Sequence, residues 1–246
     1  MLKLMKYEFR KTAFLKFVLL LLTAVAEVVY LVGVFAKKDG LLALGIFFLV
    51  LCTIIGIFWV GIWSVIVLHR DLNTKQSYML FLTPKSSYEI LGAKILENGI
   101  SIVIAGAFFA ALAVLDMTVA TIYIGGWKEL YDLVNSFLEV TWSLTFTPAN
   151  IAFSFFGLLA SWIVYIVNAD LAVILSSTIL TGKKGNAVVS FIIFMILSVL
   201  LGMVMDRIPS LKSVELTFVL YIAVTLVIAA ALYLISGWIM EKKLSV

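Results

Sequence analysis

Apolar positions fall in six long runs, at about 13–36, 41–68, 95–123, 149–180, 187–205 and 215–239, separated by charged or Gly/Pro-containing breaks. A helix needs roughly 20 apolar residues to cross a hydrocarbon core about 30 Å thick, and each run approaches or exceeds that length. Strand-like alternation is absent. Only helices and closed barrels satisfy their backbone hydrogen bonds within lipid. The pattern therefore predicts an all-α, polytopic membrane protein with six transmembrane helices. No internal repeat, linker or low-complexity tract divides it, so residues 1–246 are expected to form one transmembrane domain.

Composition strengthens this picture. The chain is 64% hydrophobic and 13% charged, where soluble domains have roughly 45–50% apolar and 25% charged residues. Its mean hydropathy is +1.18. A soluble protein of this size must cover itself with polar groups, and this chain has too few, so no large soluble catalytic domain fits. The net charge of +4 does not call for nucleic acid, because in a membrane protein the placement of Lys and Arg matters more than their sum. With both termini in the cytoplasm, thirteen of the 18 basic residues lie inside and five outside. That bias predicts a multi-pass protein of the inner (cytoplasmic) membrane with cytoplasmic N and C termini. A competing reading takes the basic start, Phe17 to Leu22 and Ala24-Val25-Ala26 as a cleavable signal peptide. The apolar stretch continues past Glu27 to Phe35, which favours an uncleaved first span.

Two segments have interfacial character. Leu2, Met5, Phe9 and Ala13 share a helical face, while Lys3, Lys6, Arg10 and Lys11 crowd elsewhere. This predicts an N-terminal amphipathic helix lying on an anionic leaflet. Residues 126–142 repeat the logic on the outer side. Trp127, Leu130, Tyr131, Val134, Leu138 and Trp142 fall at helical spacing opposite Lys128, Glu129, Asp132, Asn135 and Glu139, as an aromatic-belt anchor or a rim around a path would require.

Reactive chemistry is sparse. Cys52 is the only cysteine and His69 the only histidine, and the chain has no phosphate-loop, nucleophile-elbow or HExxH motif. No catalytic residue, metal ligand or bound cofactor is expected. The telling polar residues are Glu27, Asp116 and Asp170, which lie within or near the ends of apolar runs, where an ionised carboxylate is costly unless paired or hydrated. No basic residue lies deep in a span to pair with them. Glu27 and Asp170 are each candidates for a buried hydrogen-bonded role, a cargo-facing role or an ion relay.

The cytoplasmic loop after the second span is the most informative segment. Its apolar core, Tyr78-Met79-Leu80-Phe81-Leu82, is too short to span, is flanked by Lys75 and Lys85, and ends at Pro84. Leaving such side chains in water costs about 1.5–3 kcal/mol each relative to burial. They are expected to pack on this protein's own helix ends or to dock as a short helix into a cytosolic partner. Ser86 and Glu89 then form an S-x-x-E capping box that starts a new helix near Ser87 and runs it through Lys94 into the third span.

The basic start, the six spans, the inside termini and the loop from Lys75 through Thr83-Pro84 to Lys94 together resemble the permease subunits of ABC-2-type transporters. The chain is most similar to small permeases that expel amphipathic peptide toxins or antimicrobial peptides. The resemblance implies a coupling helix between spans two and three. Its docking residues would be Tyr78, Met79, Leu80, Phe81 and Leu82, with Lys75 and Lys85 as rim contacts on a separate ATPase subunit. ATP and Mg would be bound by that partner, so the chain itself would be a non-catalytic permease. Six spans would make half a transporter, completed by a second permease chain as a homodimer or heterodimer. The resemblance also places cargo near spans two and five. There Phe48, Ile55, Trp59 and Trp63 form one stripe, and Phe191, Phe194, Met195 and Ser198 another. These greasy, adaptable walls suit hydrophobic or amphipathic cargo, with peptides ranked before lipophilic drugs or lipids. The same stripes also suit plain packing against neighbouring helices or lipid. Many family members carry their extracellular helices between spans five and six. Here that connection is short, and the long outer segment follows span three. Two other classes stay open: an ion-coupled carrier using Glu27 and Asp170, and a membrane protein that transports nothing.

Overall fold

A computed structural model describes residues 2–73, 85–123, 148–180, 185–209 and 213–243. Among these, six α-helices follow in order: α1 (Leu2–Phe35), α2 (Asp39–Asn73), α3 (Ser87–Tyr123), α4 (Pro148–Ile179), α5 (Asn186–Met205) and α6 (Val214–Lys243). The described residues contain no strand. All six helices are long and apolar enough to cross a membrane, and the chain is a multi-pass membrane protein. Its exterior has the character of a lipid-facing surface: on α1 alone Phe14, Phe17, Leu21, Val25 and Val28 are exposed. The inside, conversely, holds many polar side chains, among them Thr23, Ser64, Asn168, Ser176, Thr225 and Ser236. In lipid, burial of polar atoms and close packing, rather than escape of apolar surface from water, select which face turns inward.

The helices α1, α2, α3 and α6 extend beyond the apolar runs that predict them. α5, at 20 residues, is just membrane length. α2 and α3, at 35 and 37 residues, are each longer than 50 Å at about 1.5 Å per residue. Hydropathy marks where lipid ends, but backbone hydrogen bonding continues until a cap stops it. For α3 the cap is the expected one: the Glu89 amide donates to Ser86 Oγ at 3.2 Å, and the helix begins at Ser87. α1 is continuous from Leu2, so the predicted surface segment and the first span form one uninterrupted helix.

The chain folds as two compact units. One comprises residues 1–11, 61–100 and 152–246, and the other residues 12–60 and 101–151. The first is centred on Leu68 and Leu72 of α2, Ile90 and Leu91 of α3, Val173 and Ile174 of α4 and Met240 of α6. A second cluster in it joins Val164, Leu201 and Ala229 from α4, α5 and α6. The other unit is built on Ala26, Tyr30 and Val34 of α1 and Leu49 of α2, with Leu112 and Val119 of α3 packed against them. Its α1–α2 hairpin is tight. A Cβ at Gly45 would lie 2.5 Å from Tyr30 Cα, and one at Gly33 would lie 2.5 Å from the Leu42 backbone nitrogen, so the two backbones touch only because these positions have no side chain.

Candidate functional site

The most concentrated chemistry sits in the first unit, in turns that overhang the predicted spans. Lys94 of α3 is buried and donates to Glu8 Oε2 of α1 at 2.8 Å and to Asp71 Oδ2 of α2 at 2.6 Å. Lys11, one turn beyond Glu8, reaches Asp71 Oδ2 at 2.8 Å and Glu8 Oε1 at 3.3 Å. Glu8 and Asp71 are themselves buried. Two carboxylates thus share two ammonium groups. The arrangement ties three helices together where each has just left its apolar run, and ion pairs this well matched survive burial because each charge is met by several partners.

On these turns of α1 the buried side chains are Glu8 and Thr12. Leu2 and Ala13 of the predicted apolar stripe are exposed, Met5 and Phe9 are half-buried, and Glu8 is buried. The periodicity of the apolar residues gave no sign of this, because an acid with a partner on another helix looks the same in sequence as a solvated one. A signal was nonetheless present: Glu8 is the lone acid in the basic start, and Lys94 sits at the edge of an apolar run.

The roots of the 74–84 loop are fastened further. The Asn73 amide donates to Ser177 Oγ of α4 and to the His69 carbonyl, each at 3.0 Å, and accepts a short hydrogen bond from Asn186 of α5. On the far side, Tyr233 Oη of α6 donates to the Tyr88 carbonyl at 2.8 Å, with the two rings edge to face. Lys85 makes an exposed pair with Glu89 at 3.1 Å. The other proposed docking residues, Lys75, Tyr78, Met79, Leu80, Phe81 and Leu82, lie outside the described residues, as does the 126–142 segment.

The intramembrane carboxylates separate into two environments. Asp170 of α4, 2% exposed, is in the first unit. Among the described residues no ion pair is made to it, and the Lys94 ammonium at the start of α3 acts on it electrostatically. Asn168, two residues earlier, donates to Ser198 of α5 at 3.0 Å, so the proposed path residue Ser198 serves a helix contact. In the other unit, Glu27 of α1 and Asp116 of α3 face one another. Glu27 Oε2 and Asp116 Oδ1 are both buried without a hydrogen-bond partner, and the Tyr30 hydroxyl donates to the Asp116 carbonyl at 2.7 Å.

The aromatic stripes point outward in part. Phe48, Ile55 and Trp59 of α2 and Phe191 and Met195 of α5 are exposed, whereas Trp63 and Phe194 are half-buried. The Trp63 ring lies 6.0 Å from the Arg70 guanidinium. The α2 stripe is divided between the two units, with Phe48, Ile55 and Trp59 in one and Trp63 in the other. A concavity that the periodicity did not suggest lies between α4 and α6, where Phe153, Phe156, Ile163, Val219, Ile222 and Leu226 line an apolar groove of about 500 Å³.

Comparison of the chain with protein-family models, curated proteins and solved structures gives no match.

Proposed function

We propose that this chain is the membrane half of an ATP-driven exporter of the ABC-2 type, moving hydrophobic or amphipathic cargo, in first place amphipathic peptides, out of the cell. One observation carries the reading: both roots of the 74–84 loop are locked into the body of one unit. Asp71 is held by Lys94 and Lys11, Asn73 by Ser177 and Asn186, and Tyr88 by Tyr233. A loop anchored in this way moves its helices when it is pushed, whereas a slack loop absorbs the push. In this reading Tyr78 to Leu82 dock on a separate ATPase subunit that binds ATP and Mg. The chain itself hydrolyses nothing, its termini are cytoplasmic, and a second permease chain completes the path. The outward stripes of α2 and α5 are apolar and rich in aromatic residues and Met, which supports greasy rather than sugar-like cargo. Lipophilic drugs and lipids rank second.

The test is to purify tagged wild type and Phe81→Asp from native membranes and to identify what accompanies each. Recovery of an ATPase with wild type alone supports the docking role. Absence of an ATPase from both well-folded proteins overturns it. Gradient-driven transport by the chain alone in liposomes would replace it with an ion-coupled carrier.

A further inference from the structure

The first turns of α1 are held in one orientation. Glu8 is buried against Lys94 of α3 at 2.8 Å, and Lys11 reaches Asp71 of α2 at 2.8 Å. This fixes what the opposite face presents. At about 3.6 residues per turn, Lys3, Lys6, Tyr7 and Arg10 fall within about 100° of arc, and all four are exposed. The basic residues clustered at the start of the sequence are thereby sorted. Lys11 turns inward to the carboxylates, and Lys3, Lys6 and Arg10 turn outward. Among the described residues none of those three forms an ion pair. Glu8, the lone acid of residues 2–26, is spent on the other face. Like charges three and four residues apart on a helix repel one another, and an anion laid along the stripe relieves them.

Position indicates which anion. α1 enters its apolar run at about residue 13. At about 1.5 Å per residue, Arg10 stands about 5 Å beyond that point, Lys6 and Tyr7 about 10 Å and Lys3 about 15 Å. The headgroup layer of one leaflet is about 5–8 Å deep, and the potential of an anionic leaflet extends a further Debye length, about 8 Å. All three cations are within reach of lipid phosphates. Tyr7, 58% exposed, adds an apolar ring and a hydroxyl at the interface. A nucleic acid or an acidic protein would meet the same charges only by crowding against the bilayer surface. We propose that Lys3, Lys6 and Arg10 form a binding site for the phosphate of anionic phospholipids in the leaflet that α1 enters, with Tyr7 as its interfacial anchor. The site differs from the surface-lying helix expected of this segment, because its cations are presented by a helix docked on α2 and α3. A bound lipid therefore steadies the turns that carry Glu8. The inference rests on the membrane-spanning fold and holds with or without an ATPase partner.

The experiment takes the full chain in a neutral detergent and follows its melting temperature as phosphatidylglycerol or phosphatidylcholine is added, which gives an apparent affinity for each. Wild type is compared with Lys6→Gln/Arg10→Gln and with Lys242→Gln/Lys243→Gln, which removes as much charge from the end of α6. Wild type should prefer phosphatidylglycerol, and the preference should disappear at high salt. Its affinity should fall by about fivefold per cation removed in Lys6→Gln/Arg10→Gln and stay unchanged in the α6 variant. Equal affinity of wild type for the two lipids, a preference indifferent to salt, or an equal loss in both variants overturns the proposal. Binding of a short oligonucleotide more tightly than phosphatidylglycerol overturns it in favour of nucleic acid.

Discussion

Lys94 Nζ lies 2.6 Å from Asp71 Oδ2 and, on its other side, 2.8 Å from Glu8 Oε2, so one buried ammonium joins the start of α3 to the end of α2 and the first turns of α1. Removing it takes one ammonium away from two buried carboxylates. Lys94→Met is expected to destabilise the protein by about 3–5 kcal/mol, the usual cost of breaking one side of a buried pair. The triple variant Lys94→Met/Glu8→Gln/Asp71→Asn should recover a large part of that loss. Thermal unfolding in detergent measures both, and equal instability of the single and triple variants would show that the charges do not act as a unit.

Glu27 and Asp116 face each other with an unpartnered oxygen on each carboxyl. Two carboxylates so placed repel whenever both are charged. Asp116→Asn removes one of the two charges and is expected to raise the melting temperature in detergent by the equivalent of about 1 kcal/mol. A loss of that size would mean that the pair is held by an attraction, such as a bound cation.

The α1–α2 hairpin depends on two missing side chains. Gly45→Val places atoms where Tyr30 Cα already lies, and overpacking of this kind typically costs about 1–3 kcal/mol. Proteolysis of the hairpin and melting temperature report it. Gly40→Ala, where a Cβ meets nothing within 4 Å, is the neutral control.

Trp162 Nε1 donates to Asn98 Oδ1 at 2.9 Å, joining α4 to α3, and Asn98 is 1% exposed. Trp162→Phe keeps the aromatic bulk and removes the donor. It should cost about 0.5–1.5 kcal/mol, the net worth of one hydrogen bond. An unchanged melting temperature would show that another donor takes its place.

Six helices and their order were legible in the hydropathy alone, as was the Ser86–Glu89 cap, because both depend on local properties. Transfer into lipid is a property of each residue and its neighbours along the chain, and a cap is closed by residues three apart. The overhanging turns were less legible, since a polar helix end and a polar loop have the same composition. Pairing was not legible at all. Glu8 reads as one acid in a basic tail, Lys94 as an inside-positive charge at the mouth of a span, and Asp170 as a carboxylate with no basic residue deep in a span to pair with it. Which of them meet depends on how α1, α2, α3 and α4 are rotated about their own axes. That rotation is set by buried polar atoms seeking partners and by close backbone approaches such as Gly45 against Tyr30. The sequence thus determined that the described residues form six membrane-length helices, and only the tertiary structure decided that Glu8 and Asp71 meet at Lys94.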